Sequence, residues 1–273
     1  MIPSDSQGSK SNWWVPQRAQ MFDVSKFLLL FGLLTWFVVH GTETLGYNWQ
    51  WYRIPKYLFS TENGGLTWGP LMEGLAITFR LTIISLILAF VFGLTTALGR
   101  LSDSIVARIL ARGYLEVTRN TPLLVQLFFI YFVMGPVLDL SRFASAVLAL
   151  SLFEGAYVSE IFRAGIVSIH RGQWEAAHSL GLNTPDMYRF VILPQAIRRI
   201  LPPLTSQVIS LVKDSALVST IAIYDLTMQG QMIISETFLT FEVWFTVAAI
   251  YLTITVILSF MVNFMEIRLE VEA

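Results

Sequence analysis

Gln173-Trp174-Glu175-Ala176-Ala177-His178-Ser179-Leu180-Gly181-Leu182-Asn183-Thr184-Pro185-Asp186-Met187-Tyr188-Arg189-Phe190-Val191-Ile192-Leu193-Pro194, with its continuation to residue 203, is a polar and charged island in an otherwise apolar chain, and a hydrophobic block flanks it on each side. Trp174, Ala177 and Leu180 recur at spacings of three and predict a short helix, with Gly181 as its terminator. Asn183-Thr184-Pro185-Asp186 predicts a turn and a second short helix, capped by Thr184 or Asn183 and carrying Pro185 at its first position. Leu193-Pro194 is expected to break that helix before the next apolar block. Two short, charged helices joined by a glycine turn beside membrane spans suit a docking element better than a catalytic site.

Composition sets the class. Of 273 residues, 55% are hydrophobic and 14% charged, with a mean hydropathy of +0.62; a soluble domain carries about 25% charged residues. A net charge of -1 argues against a nucleic-acid partner. The absence of cysteine removes disulfides, thiolate chemistry and cysteine-ligated metals. The expected fold is all-α, a polytopic membrane protein.

Outward from the island, apolar runs at 27–40, 71–98, 122–137, 143–166, 200–223 and 243–264 predict about six transmembrane helices, a span needing about 20 residues. The first run is short and follows a long polar lead containing Trp13-Trp14. No small-residue cleavage site follows it, so it is read as an uncleaved helix rather than a secretory signal. Residues 41–69 read as an aromatic interfacial loop with Trp49, Trp51, Tyr52 and Trp68. With the amino terminus in the cytoplasm, cytoplasmic segments carry Lys10, Arg18, Lys26, Arg100, Arg108, Arg112, Arg119, Arg163, Arg171, Arg189, Arg198, Arg199 and Arg268. The opposite side then holds only Arg53, Lys56 and Arg142. The positive-inside rule therefore places both termini and the polar island in the cytoplasm.

Glu175-Ala176-Ala177, Gly181, Val191 and Leu193-Pro194, at these intervals, resemble the E-A-A loop of ABC-transporter permease subunits, with Val191 standing where that family usually has Ile. Arg119-Asn120-Thr121-Pro122-Leu123-Leu124-Val125-Gln126 resembles a signature of the polar amino-acid branch, although Pro122 alone is an ordinary helix start. Lys213-Asp214-Ser215-Ala216-Leu217 and the run from Gly155 through Tyr157 and Glu160 to Gly165 resemble the same branch. The resemblance covers residues 71–266. It implies a five-helix importer core at 70–266 with its coupling loop at 168–199, preceded by an extra tail, helix and loop at 1–69 and followed by a cytoplasmic tail at 267–273.

The same resemblance implies partners. A dimeric ABC ATPase would hold ATP and Mg, with no cofactor on this chain. A second permease subunit, a related chain or a copy of this one, would complete the pathway, and a soluble periplasmic binding protein would deliver an amino acid across a bacterial inner membrane. Glu175, Ala176, Ala177, Gly181, Leu193 and Pro194 would form the ATPase-coupling surface.

Charges inside spans cost about 2.5–3.5 kcal/mol each at a helix centre, so each is a functional candidate. Glu154 lies midway along its span, where its carboxylate either meets the substrate's ammonium or pairs with Lys213 or Arg80. Tyr157, Lys213, Asp214 and Gln126 complete the expected substrate pathway. Lys213-Asp214 falls mid-span or at a helix break, where freed backbone can line a cavity. Glu160 and Arg163, three apart, read as a structural ion pair, and Arg80 as an interfacial, snorkelling arginine. Gly93, Gly99, Ala144, Ser145, Ala149 and Ser151 are expected to allow close helix packing.

Neither a phosphate-binding G-x-x-x-x-G-K-[ST] loop nor a G-x-S-x-G nucleophile motif is present, and His40, His170 and His178 lack metal-ligand spacing. The expectation is therefore a non-catalytic permease subunit. An importer for another small polar solute is the alternative, and an ATP-independent secondary transporter, which commonly shows internal repeats, the more distant one.

Overall fold

Nearly every described segment is helical, the arrangement that satisfies backbone groups without water. The computed structural model describes residues 17–44, 46–60, 65 and 67–271. Lys10 and the Trp13-Trp14 pair lie outside them. The chain divides into two compact units, residues 1–50 and 51–273. In the first, α1 (Gln17–Thr44) carries a span at Val24–Gly41 whose large apolar side chains, from Val24 to Phe37, are all exposed. A helix apolar all round belongs in hydrocarbon.

The second unit begins with a structure that the sequence pattern conceals. Where an aromatic loop is expected, a 3-10 turn at Trp51–Arg53, the short α2 (Pro55–Leu58) and two paired strands, β1 (Phe59–Ser60) and β2 (Thr67–Trp68), make a small cap. The strands are antiparallel, with Phe59 opposite Trp68. Ile54 and Tyr57 of the cap are buried in one cluster with Leu71, Leu226, Leu239 and Val243. Ile54 and Tyr57 thus tie this cap to the long helices, and the boundary between the two compact units follows Gln50.

Long helices follow: α3 (Pro70–Leu101), α4 (Ile105–Arg119), α5 (Leu123–Phe128), α6 (Gly135–Leu138) and α7 (Arg142–Val167). A π-helical turn, Phe129–Met134, joins α5 to α6. The span expected at 122–137 is the second limb of a pair, because α4 meets α5–α6 at a bend of 108° around Pro122. Small residues fix the pairing of α3 with α7. A Cβ on Gly93 would stand 2.5 Å from Val158 Cγ1, while Ser145, Ala149 and Ser151 are buried to the last atom. Gly99 is less demanding, since its nearest neighbour, the Ala107 carbonyl, lies at 3.6 Å.

Beyond α7 come α8 (Arg171–Ser179), α9 (Thr184–Met187), α10 (Leu193–Asp214), α11 (Leu226–Thr237) and α12 (Thr240–Val271). Leu193-Pro194 does not break the chain. A π-helical turn at Tyr188–Ile192 leads straight into α10, and Pro194 sits in its first turn, where a missing N–H costs nothing. The interruption comes later: α10 ends at Asp214, a 3-10 stretch covers Ser215–Ile221, and Ala222 turns the chain at φ 57 before α11. Among the described residues, four helices are long and apolar enough to cross a membrane, or up to six if each bent pair is one span. The protein is an all-α polytopic membrane protein apart from its two-strand hairpin.

Candidate functional site

The polar island folds as two capped helices on a shared apolar base. His170 Nδ1 accepts from the Gly172 N–H at 3.1 Å to start α8, and Asn183, rather than Thr184, caps α9 by accepting from Asp186 N at 2.9 Å. Gly181 ends α8 at φ +74, with its N–H bonded to the His178 carbonyl at 2.9 Å and that of Leu182 to Ala177 at 3.2 Å. This 5→2 and 6→1 pair is the Schellman closure, which calls for the left-handed residue that glycine supplies without strain.

Beneath the turn, Ala177, Met187, Ile192 and Ala196 are buried against Phe162, Ile166 and Ile200. Trp174 meets Tyr188 edge-on at 5.4 Å, and Gln195 Nε2 donates to Gln173 Oε1 at 3.3 Å. The three residues of Glu175-Ala176-Ala177 therefore have different tasks. Ala177 anchors the helix at 2% exposure, while Glu175 and Ala176 face outward. Glu175 pairs with Arg171 at 3.0 Å, one turn back on a fully solvated face. Leu180, at the same spacing as Trp174 and Ala177, points away from the base at 80% exposure. Phe190 at 62% and Leu193 at 39% are further exposed apolar side chains of the island, and Pro194 is exposed as well. Phe190 escapes sequence reasoning because an aromatic beside Arg189 reads as core.

A second constellation lies between α7 and α10. Glu154 is 1% exposed, and Gln207 Nε2 donates to its Oε2, whereas its Oε1 has no hydrogen-bond partner. Asp214, half-buried, comes within interaction range of the same carboxylate. Neither Lys213 nor Arg80 pairs with Glu154. Lys213 is exposed and acts electrostatically on Asp214, while Arg80 is exposed over the Phe143 ring at 5.4 Å. Gln207 lies seven residues before Asp214, hence on one face of α10, and that spacing is the signal that would have found it. A buried carboxylate with one free oxygen and an acidic neighbour is equipped to receive a cationic group.

The other pathway candidates fall elsewhere. Gln126 closes the bend at Pro122, donating to the Thr118 and Thr121 carbonyls at 2.8 and 2.9 Å. Tyr157 lies under the Arg119 guanidinium, 5.7 Å from its ring centre. Glu160 joins Arg163 at 3.1 Å as the spacing predicts, and also binds Arg100 of α3.

Comparison with known proteins agrees with this geometry. Residues 89–271 match the family described as binding-protein-dependent transport system inner membrane component. The glutamine transport system permease protein GlnP of Escherichia coli (strain K12) is 39% identical over 204 residues, 74% of this chain and 93% of that protein. The nopaline transport system permease protein NocM of Agrobacterium fabrum is 39% identical over 207 residues, 72% of this chain and 86% of that protein. A crystal structure of an amino acid ABC transporter with histidines superposes with a TM-score of 0.70 at 40% identity, covering 73% of this chain and 94% of that one. The MetNI methionine ABC transporter, at 20% identity and a TM-score of 0.60, shares the fold. With the coupling-loop spacing, the helical core and these relatives in agreement, the chain belongs to the binding-protein-dependent inner-membrane permeases, on the branch of amino-acid ABC transporter subunits.

Proposed function

We propose that this chain is the membrane-spanning subunit of an ATP-driven importer of polar amino acids, coupled to a separate ATPase through α8 and α9. The observation that carries this reading is the exposed edge of Glu175, Ala176, Leu180 and Phe190, held on a base anchored by Ala177 and Ile192. A rigid helix pair with an apolar exposed edge transmits a push; a solvated loop does not. ATP and Mg sit on the ATPase dimer and no cofactor on this chain. A second permease subunit and a soluble periplasmic binding protein complete the assembly in a bacterial inner membrane, both termini of this chain facing the cytoplasm.

Within the span, Glu154 and Asp214 receive the ammonium of the passing solute, with Gln207 fixing the Glu154 carboxylate. The relatives named for glutamine transport support an amino acid whose side chain is polar. The nopaline relative, equally similar at 39%, favours an amino-acid-derived opine as the second reading.

The test replaces the turn glycine. Gly181→Glu places a side chain at φ +74, which strains the turn by about 1 kcal/mol but meets no protein atom within 4 Å. The variant should assemble in the membrane but lose solute-stimulated ATP hydrolysis in the purified complex with its binding protein. Full stimulation in that variant removes the coupling role. The same assay across glutamine, cationic and acidic amino acids and opines separates the two solute readings.

A further inference from the structure

Where α3, α4 and α7 converge, a cavity of about 270 Å³ is lined by Arg100, Arg112, Glu116, Arg119, Tyr157 and Glu160, together with two smaller contributions from α4. Its charges do not balance. Glu160 is already held by Arg100 and by Arg163 at 3.1 Å, and Arg119 reaches it only at 3.6 Å. Glu116 accepts from Asn120 at 3.0 Å. Arg112 has neither ion pair nor hydrogen bond among the described residues. Three guanidinium groups of the lining thus face two carboxylates, one of which Arg163 also neutralises from outside, leaving a surplus of positive charge around an open cavity.

The helix that supplies most of this wall also carries an apolar face. Ile105, Val106, Ile109, Leu110 and Val117 are each between 63% and 69% exposed. On the same helix, Arg108, Arg112 and Arg119 form a basic stripe at intervals of four and seven. An amphipathic helix of this kind lies at a membrane boundary with its apolar face among acyl chains and its cations at headgroup level. The cavity sits at the island's end of the molecule, since Arg100 is the penultimate residue of α3 and Glu160 precedes the end of α7 by seven residues.

We propose that this cavity is a binding site for the phosphate of an anionic phospholipid, with Arg112 and Arg119 as its ligands and the apolar face of α4 as the bed for the lipid's acyl chains. A phosphate oxygen offers the acceptors that Arg112 lacks, and guanidinium groups grip phosphate through paired N–H donors. Basic pockets between transmembrane helices take anionic headgroups for this reason. A free anion would satisfy the arginines but leave the apolar face uncovered, so the lipid is the occupant that uses both features. Occupied, the lipid would tie α4 to α3 and α7 beside the coupling helices.

The test uses the full chain with its copurified partners in nanodiscs of phosphatidylcholine, with or without phosphatidylglycerol, released into a native mass spectrometer. Wild type should retain phosphatidylglycerol in preference to phosphatidylcholine. Arg112→Ala should lower that retention about tenfold, the effect of losing one charge-assisted contact. Arg112 is exposed and unpaired, so this variant should keep the wild-type melting temperature in phosphatidylcholine alone. Arg108→Ala, which removes a side chain bonded to the Asp103 carbonyl at 3.4 Å and outside the cavity, should change nothing, and Glu116→Gln should strengthen retention. Equal retention of the two lipids by wild type, or by Arg112→Ala and wild type, overturns the proposal. Complete displacement by inorganic phosphate would make it a soluble-anion site, and a cross-link from α4 to a second permease subunit without bound lipid would make it a subunit interface; either result also overturns it.

Discussion

The coupling helices and the Glu154 cluster are both polar elements in a greasy chain, yet they are built in opposite ways. The ends of α8 and α9 are shaped over a handful of residues, by the His170 and Asn183 caps, the Gly181 closure and the Arg171–Glu175 pair, while their apolar base packs on Phe162, Ile166 and Ile200. The Glu154 carboxylate owes its setting to Gln207, 53 residues away on another helix. One element takes its caps and its turn from its own sequence. The other exists only because α7 and α10 press together at a fixed rotation. A local device can be moved as a unit by a partner, whereas a cluster spread over two helices changes whenever those helices shift. Under the proposed function, coupling and substrate response reside in separate places joined by α10.

The contact that carries this joint is the place to break it. A Cβ on Gly165 would stand 2.2 Å from Ile200 Cγ1, where α7 crosses α10. Gly165→Val should destabilise the chain by about 3 kcal/mol through overpacking and disturb the Glu154 cluster and the coupling helices together. Ile200→Ala in the same background should recover part of the melting temperature in detergent. No recovery would mean that the two regions are not linked through this crossing.

A smaller effect sharpens the contrast within the island. Ala177→Leu forces a larger side chain into a site of 2% exposure and should cost about 2 kcal/mol, while its neighbour Ala176→Leu should melt as wild type does. Only the Ala176 variant should then report on docking, as weakened copurification of the ATPase. Equal melting of the two variants would erase the division of labour between adjacent alanines.

Glu154→Gln keeps shape but removes charge from the buried cluster. Solute stimulation of ATP hydrolysis should need about tenfold more solute-loaded binding protein, equivalent to about 1.4 kcal/mol, with basal hydrolysis unchanged. An unaltered dose response would make the cluster structural. At the bottom of the scale, Arg171→Ala should change stability by about 0.3–0.5 kcal/mol, since the pair with Glu175 is a solvated i,i+4 contact. A loss comparable to that of Ala177→Leu, measured in the same melts, would show that the pair is shielded in the assembled state.

Several features were legible before any coordinates because they are written in short-range patterns. The Gly181 terminator, an Asn-or-Thr cap before Pro185, and the Glu160–Arg163 pair all follow from neighbours within one or two turns. Other readings fell short where one local device displaced another. Pro194 is a poor helix interior residue, but the widened turn at Tyr188–Ile192 places it in the first turn of α10. Leu180 fits the spacing of a buried stripe, yet the Gly181 closure has already turned the chain away from the core. The cap built from residues 51–60 and 67–68 was hidden because its anchors, Ile54 and Tyr57, are separated by too few residues to show a period.

By itself, the sequence determined that this chain is helical, membrane-embedded and carries a polar island of two capped helices, because hydropathy, capping and glycine conformations depend on residues at most a few turns apart. Only the tertiary structure decided that Glu154 meets Gln207 and Asp214 rather than a cation, that Glu160 gathers Arg100 as well as Arg163, and that Arg112 is left without a partner. Those outcomes depend on the rotation and depth at which helices distant in sequence meet. Steric fit at sites such as Gly93 and Gly165 sets that rotation, and a missing side chain acquires this meaning only once its neighbour across the helix pair is in place.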